Sequence, residues 1–150
     1  CLEAAGVTSA IVNLGGNVIA VGGKPNADGF TIGVEKPFSD SSELIGSVQA
    51  ENQTVVTSGV YERQFEIDGK IYHHILSTTT GYPVSTDLDS VTIITDKGHS
   101  VDADALSTIC LISGSKAGKE LIESIDGYEA LFCLSDGSFV KTSGMKFDEK

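Results

Sequence analysis

Two stretches of this chain carry side chains that can do chemistry. HHILSTTTGYP, His73 to Pro83, sets two adjacent histidines before a turn of hydroxyl residues, glycine and proline. VDADALST, Val101 to Thr108, sets acids and hydroxyls at what reads as a helix start. A neutral imidazole offers one donor and one acceptor, so His74 suits a general base or a ligand hydrogen bond. The competing reading of His74 is a surface or core-edge histidine with a local partner. His73 falls on the opposite face of a strand and is the weaker candidate, and His99 lies in a polar loop with no role assigned. Asp104, Ser107 and Thr108, three and four residues apart, converge on one helical face. Oxygen-only donors of this kind suit a hard cation such as Mg²⁺. The competing reading is an ordinary capping cluster at a helix N-terminus, with Asp102 able to serve as the cap and leave Asp104 free.

The elements that must position these groups follow from periodicity. LEAAGV ends at Gly6 as a helix stop, and SAIVNL, Ser9 to Leu14, is apolar and β-branched enough for a buried strand. GGN then turns the chain into NVIAVGG; KPNADG leads to a third strand, FTIGVEKP. The first turn reads as a hairpin, and its glycines would equally let a ligand approach the backbone. After the polar loop SDSSE, LIGSVQAEN and TVVTSG read as a strand pair joined near Asn52 and Gln53, closed by a turn at Thr57 to Gly59. YERQFEIDGKIYHHIL alternates cleanly around Asp68-Gly69, a strong hairpin signal. SVTIITD gives a further strand. Ala103, Leu106, Ile109, Cys110 and Ile112 then recur at helical spacing up to Gly114, and a second helix capped by Ser115 uses Leu121, Ile122 and Ile125. YEALFCL and SFVKTSG pair through Asp136-Gly137, and KFDEK reads as a solvated tail. Strands, two adjacent helices and a hairpin in that order predict an α+β fold, with a mixed or antiparallel sheet and two adjacent helices packed on it.

Composition narrows the partners. At 150 residues the chain fits one domain, able to bury roughly 70% of the surface exposed when unfolded. Ten Lys and Arg stand against 21 Asp and Glu, a formal net charge of -11, which opposes nucleic-acid binding. An anionic small molecule would need a local device such as a divalent cation or converging backbone amides. Cys1, Cys110 and Cys133 have no metal-ligand spacing, and an odd count is poor evidence for a disulfide framework. Cys110 and Cys133 read as small buried apolar residues, and Cys1 as the ordinary start of a helix end rather than a lipid-anchored terminus. No membrane span, signal peptide, GxGxxG or GxxxxGK[ST] is present.

NLGGNV, TSGVYER, HHILSTTTGYPV, SVTI and DADALST nevertheless stand in the order and approximate spacing of one family. From Ala10 to about Ser143 the chain resembles the C-terminal part of the ApbE family, the FAD:protein FMN transferases. The resemblance implies an ApbE-like, T-fold-like arrangement and Mg²⁺-dependent cleavage of FAD, with FMN attached to a threonine or serine of an acceptor flavoprotein. Some members instead hydrolyse FAD to FMN and AMP. It implies that Asp104 and Thr108, with Ser107 where some members have an acid, bind Mg²⁺, and that His74 is the general base. Leu76 matches an FAD-contacting position, and Thr80 and Gly81 keep the family's TG pair. Ser77-Thr78 replaces an Asp-Pro pair, which predicts a less preorganised loop. The family's N-terminal FAD cradle and GAIAKG-like metal segment have no counterpart in these residues, so a noncatalytic flavin-binding scaffold is the alternative. A covalently flavinylated carrier is disfavoured because no acceptor motif is seen. By resemblance alone, the protein would work outside the cytoplasmic membrane, anchored or exported.

Overall fold

The computed structural model describes residues 2–27, 29–39 and 43–150. Expectations for Cys1, for Asp28 of the KPNADG turn and for Asp40 to Ser42 of the polar loop lie outside the described residues. A 3-10 helix, Glu3–Ala5, ends at Gly6, whose φ of 82° and amide bond to Glu3 make the stop. Six strands then build one antiparallel sheet: β1 (Ala10–Asn13), β2 (Asn17–Val21), β5 (Gln53–Gly59), β8 (Leu88–Asp96), β9 (Glu129–Leu134) and β10 (Phe139–Lys141), in that spatial order. A second antiparallel sheet runs β11 (Asp148–Glu149), β4 (Leu44–Ala50), β3 (Phe30–Glu35). The hairpin β6 (Gln64–Ile67) and β7 (Lys70–His73) stands apart. Helices α1 (Ser100–Ser113) and α2 (Ser115–Glu123) complete the α+β fold.

The large sheet is the middle layer, and strand alternation assigns its faces. Val91 and Ile93 of β8, Val56 of β5 and Ala130 and Phe132 of β9 face the helices, packing with Ala103, Cys110, Leu111 and Ile122. Val55, Ile94 and Leu131, one residue out of phase, face the small sheet and meet Val34, Val48, Ala50 and Met145. The central strand β8 is buried over eight of its nine residues or nearly so, as a strand covered on both faces must be. Gly118 lets the helices close: a Cβ there would lie 3.0 Å from Phe132 and 3.1 Å from Cys110.

Several local expectations give way to long-range pairing. Ser9 to Leu14 looks like a buried strand, yet β1 is the edge of the large sheet, with Ile11 45% exposed. β4 and β5 are consecutive but do not pair; β4 pairs β3, and β5 lies between β2 and β8. Asn52, at φ 53°, turns the chain from one sheet to the other and fixes that crossing by accepting the Gly22 amide at 3.0 Å. Thr57 to Gly59 belong to β5 itself and close no turn. α1 buries Ala103, Ser107, Cys110 and Leu111, whereas Ile109 and Ile112 are nearly half exposed. α2 is capped by Asp87, not Ser115: Asp87 accepts the Ser115 amide at 2.9 Å and its hydroxyl at 2.5 Å, which holds the carboxyl below its ordinary range.

The tail is not solvated throughout. Asp148 and Glu149 pair with Ser47 and Gly46, Phe147 stacks edge-on against Phe139 at 5.7 Å, and Met145 is 4% exposed in the second core. Gly46 makes room for this, since a Cβ there would run into the Phe147 ring and the Asp148 backbone. Among the described residues, no helix is long and apolar enough to cross a membrane. Met145→Ala should therefore cost about 2–5 kcal/mol in urea unfolding, as buried methionine truncations do. A change of no more than about 0.5 kcal/mol would instead mark a solvated tail.

Candidate functional site

The β6–β7 hairpin delivers His74. Asp68 (φ 52°) and Gly69 (φ 75°) both take the left-handed conformation that a two-residue turn of matching twist requires. Phe65 stacks on the paired Tyr72 at 5.4 Å, with the Lys70 ammonium 5.3 Å from the Tyr72 ring centre. Pairing ends at Gln64 and His73. One residue on, the His74 amide donates to the Arg63 carbonyl at 3.1 Å, and its ring Nδ1 lies 3.3 Å from the same oxygen. A carbonyl only accepts, so Nδ1 carries the proton and Nε2 is the free acceptor. His74 is exposed, while His73 is half-buried. Among the described residues His73 Nδ1 is enclosed without a hydrogen bond of good geometry. Burial pushes its pKa down, partly offset by the Val84 backbone.

The following loop is better ordered than the missing proline predicts. Leu76 bridges to Pro83, the Ser77 amide donates to Tyr82 at 2.8 Å, and the Gly81 amide donates to Ser77 at 2.8 Å. The Ser77 hydroxyl accepts the amides of Thr79 (3.3 Å) and Thr80 (3.4 Å), so a side-chain cap does what a fixed φ would otherwise do. Gly81, at φ 72°, closes the turn. Leu76, Thr80, Gly81 and Tyr82 are all exposed on its outside.

α1 presents the acid and hydroxyl cluster. Asp104 is exposed, and its carbonyl accepts the Ser107 hydroxyl at 2.8 Å and the Thr108 hydroxyl at 3.3 Å. Ser107 is fully buried, and its oxygen lies 2.7 Å from the Ser58 hydroxyl of β5. Because Ser107 donates to Asp104, Ser58 must donate to Ser107. The Ser107 oxygen is thus committed inside the helix–sheet interface, whereas Asp104 and the half-buried Thr108 face outward. Ser100 at the start of the helix donates to Asn17 of β2 at 2.8 Å. Asp102 is not the cap: the N-cap is His99, with no side-chain cap bond, and Asp102 lies in the first turn with its carboxylate 3.3 Å from the His99 ring. The ion pairs among the described residues are Lys36–Glu43, Lys97–Glu3, His99–Asp102 and Lys119–Glu123, which leaves the Asp104 carboxylate without a paired cation.

Glu62 joins the two stretches. Partial burial pushes its carboxyl pKa up, electrostatic attraction to His74 and Arg63 and a bond from the Gly59 backbone pull it back, and the nearby Asp104 pushes it up again. Its Oε1 lies 3.7 Å from where a Cβ on Gly16 would sit, at the β1–β2 turn. Glu62 therefore lies beside the glycine turn, within electrostatic reach of both His74 and Asp104. Nothing in its local pattern marks it, though it lies within TSGVYER. Its neighbour Arg63 is the one arginine of the chain. Among the described residues, no group of three or more His, Cys, Asp or Glu side chains can hold a metal. What remains is an oxygen set of carboxylate and hydroxyl, a combination that suits Mg²⁺ with one or two protein carboxylates.

An antiparallel α+β fold with a histidine at a hairpin root and an acid and hydroxyl turn on an adjacent helix defines a class of protein with a candidate site at one end of its sheet. The ApbE family profile matches residues 1–132, and the chain belongs to the ApbE family. It is 41% identical over 137 residues to a Klebsiella pneumoniae protein named FAD:protein FMN transferase, covering 91% of this chain and 41% of that protein. A Treponema pallidum protein of the same name is 37% identical over 152 residues, covering 96% and 41%. Among solved structures, the ApbE protein of Thermotoga maritima superposes with a TM-score of 0.78 at 34% identity, covering 90% of this chain and 43% of that one. The Pseudomonas stutzeri flavinyl transferase ApbE, apo form, gives 0.71 at 34%, covering 94% and 42%. The chain thus spans about 41% of the length of these two curated relatives.

The raised Glu62 pKa has a stability consequence. The folded carboxyl holds its proton more tightly than the unfolded one, so stability falls as pH rises from the unfolded pKa through the higher folded pKa. Glu62→Gln should raise the urea midpoint at pH 7 and leave it unchanged near pH 3, where both states are protonated. A lower midpoint at pH 7 would show that the charged form is favoured in the fold.

Proposed function

We propose that the protein acts in Mg²⁺-dependent transfer of FMN from FAD to a threonine or serine hydroxyl of an acceptor flavoprotein. The reading is supported by His74 and Asp104 both acting electrostatically on Glu62, in a chain 41% identical to a protein named for that reaction. The acceptor oxygen forms a bond to the FMN phosphorus as the phosphorus–oxygen bond to AMP breaks. AMP leaves, and the hydroxyl proton passes to His74 Nε2, the free acceptor while Nδ1 is held by Arg63. Alignment and charge neutralisation dominate such a transfer.

The Asp104 carboxylate and Thr108 hydroxyl would hold the cation, and Ser107, spent on Ser58 and Asp104, would brace that turn of the helix. Bound there, Mg²⁺ would supply electrostatic stabilisation of the charge developing on the pyrophosphate. That supply matters on a chain of net charge -11, which otherwise repels FAD. The exposed loop carrying Leu76, Thr80 and Gly81 would contact the flavin nucleotide through its backbone.

Incubating the protein with FAD, Mg²⁺ and an acceptor peptide, then weighing the peptide, tests the reading. A gain of one FMN is expected, with Asp104→Ala and His74→Ala each reducing it by about a hundredfold or more. FMN and AMP released without a peptide adduct would favour hydrolysis, with water as acceptor. No product of either kind would favour a noncatalytic flavin-binding role.

A further inference from the structure

In the TSG stretch of β5, Ser58 departs from the pattern of its neighbours. It stands between Val56 and Val60 and opposite Val91, all three buried in the core under the helices. Apolar packing alone would put a fourth valine there, since β-branched apolar residues suit a strand covered by helices. The Ser58 hydroxyl instead meets Ser107 of α1 at 2.7 Å. Ser107 is itself fully buried, on the face of α1 that carries Ala103, Cys110 and Leu111. A hydrogen bond in such a layer adds little net stability. What a satisfied buried polar contact supplies is a single arrangement of the elements it joins.

We propose that Ser58 is a positioning residue for the cation site, acting through Ser107 on the helical turn that carries Asp104 and Thr108. The inference rests on the reading that the Asp104 carboxylate and the Thr108 oxygen hold Mg²⁺. The Ser107 hydroxyl donates to the Asp104 carbonyl at 2.8 Å, and the Thr108 hydroxyl donates to the same carbonyl at 3.3 Å. A hydroxyl has one proton and two lone pairs. With its proton spent inside the helix, Thr108 keeps its lone pairs for a cation. Ser107 has the opposite fate, because Ser58 donates into its oxygen. Of two adjacent hydroxyls, Ser58 thus leaves Thr108 and not Ser107 for the cation. A strand reaches the ligands through one buried side chain, as outer groups that orient metal ligands do in general.

The test follows Mn²⁺, standing in for Mg²⁺, by the broadening of residues 104–108 in the ¹⁵N-labelled protein. Ser58→Ala should raise the Mn²⁺ concentration that half-broadens them by about tenfold, and Ser58→Thr, which keeps the hydroxyl, should restore the original value. Adding Ser58→Ala to Ser107→Ala should weaken binding no further, because Ser58 acts only through Ser107. Val56→Ala, which loosens the same layer without touching the hydroxyls, should lower the urea midpoint and leave Mn²⁺ binding unchanged. The proposal is overturned if Ser58→Ala binds Mn²⁺ as the parent protein does while Asp104→Ala does not; the cation reading would then stand without Ser58. It is overturned equally if the Ser58 and Ser107 effects add, or if Val56→Ala weakens binding as much as Ser58→Ala. Undiminished binding by Asp104→Ala would remove the cation reading itself, and the proposal with it.

Discussion

A pair of hydroxyls, Ser107 fully buried and Ser58 half-buried, joins the helix to the sheet, and the placement of the site depends on it. Ser58 of β5 and Ser107 of α1 meet at 2.7 Å, in a layer otherwise filled by Val56, Val91, Ala103 and Phe132. A hydrogen bond of this kind contributes only about 1 kcal/mol net, but orphaning one partner costs about 1–3 kcal/mol. The pair therefore selects one helix register over others that apolar packing alone would tolerate. Because the Ser107 hydroxyl donates its own hydrogen bond to the Asp104 carbonyl, the same chain of donors orders the turn whose carboxylate faces outward. Ser100 and Asn17 repeat the device at the helix start. Position and rotation of α1 are thus set from two strands, and Asp104 inherits both.

What the sequence made legible was the local part of this arrangement. The Asp68-Gly69 and Asp136-Gly137 hairpins, the Gly114 break between helices and the α+β order all rest on turn chemistry and periodicity that act within a few residues. The partition of strands between two sheets was not legible. β4 and β5 follow one another with a good turn at Asn52, yet β4 pairs with the preceding β3 and the C-terminal β11, and β5 with β2 and β8. Ile109 and Ile112 misled for a related reason, whereas Leu106 packs against the core as its spacing predicts. Small Ala103, Ser107 and Cys110 face the sheet because α2 and Phe132 leave no room for more. At the site, His74 and Asp104 were visible as residue types. Glu62 was hidden, since its closeness to Gly16 and its electrostatic coupling to His74 and Asp104 arise from strand pairing far apart in sequence.

The large sheet divides the molecule's surface chemistry. One face meets the helices and, at its end, His74, Glu62 and Asp104; the other is half covered by a small sheet with an open edge. Glu62 borders both regions. The strongly acidic balance of the chain gives this division a purpose in the proposed reaction. Neutralising charge is needed only where a pyrophosphate would sit, while the rest of the surface repels polyanions.

The central proposal is that His74, Glu62 and Asp104 border one site able to take a cation. Titrating Mn²⁺ into the ¹⁵N-labelled protein measures this directly, because a paramagnetic ion broadens only nearby amides. The account predicts that residues 104–108, Glu62 and His74 broaden together at the lowest Mn²⁺ concentrations, and that excess Mg²⁺ restores them. Broadening of residues 104–108 that leaves Glu62 and His74 sharp, or broadening spread evenly over the acidic surface, would contradict it.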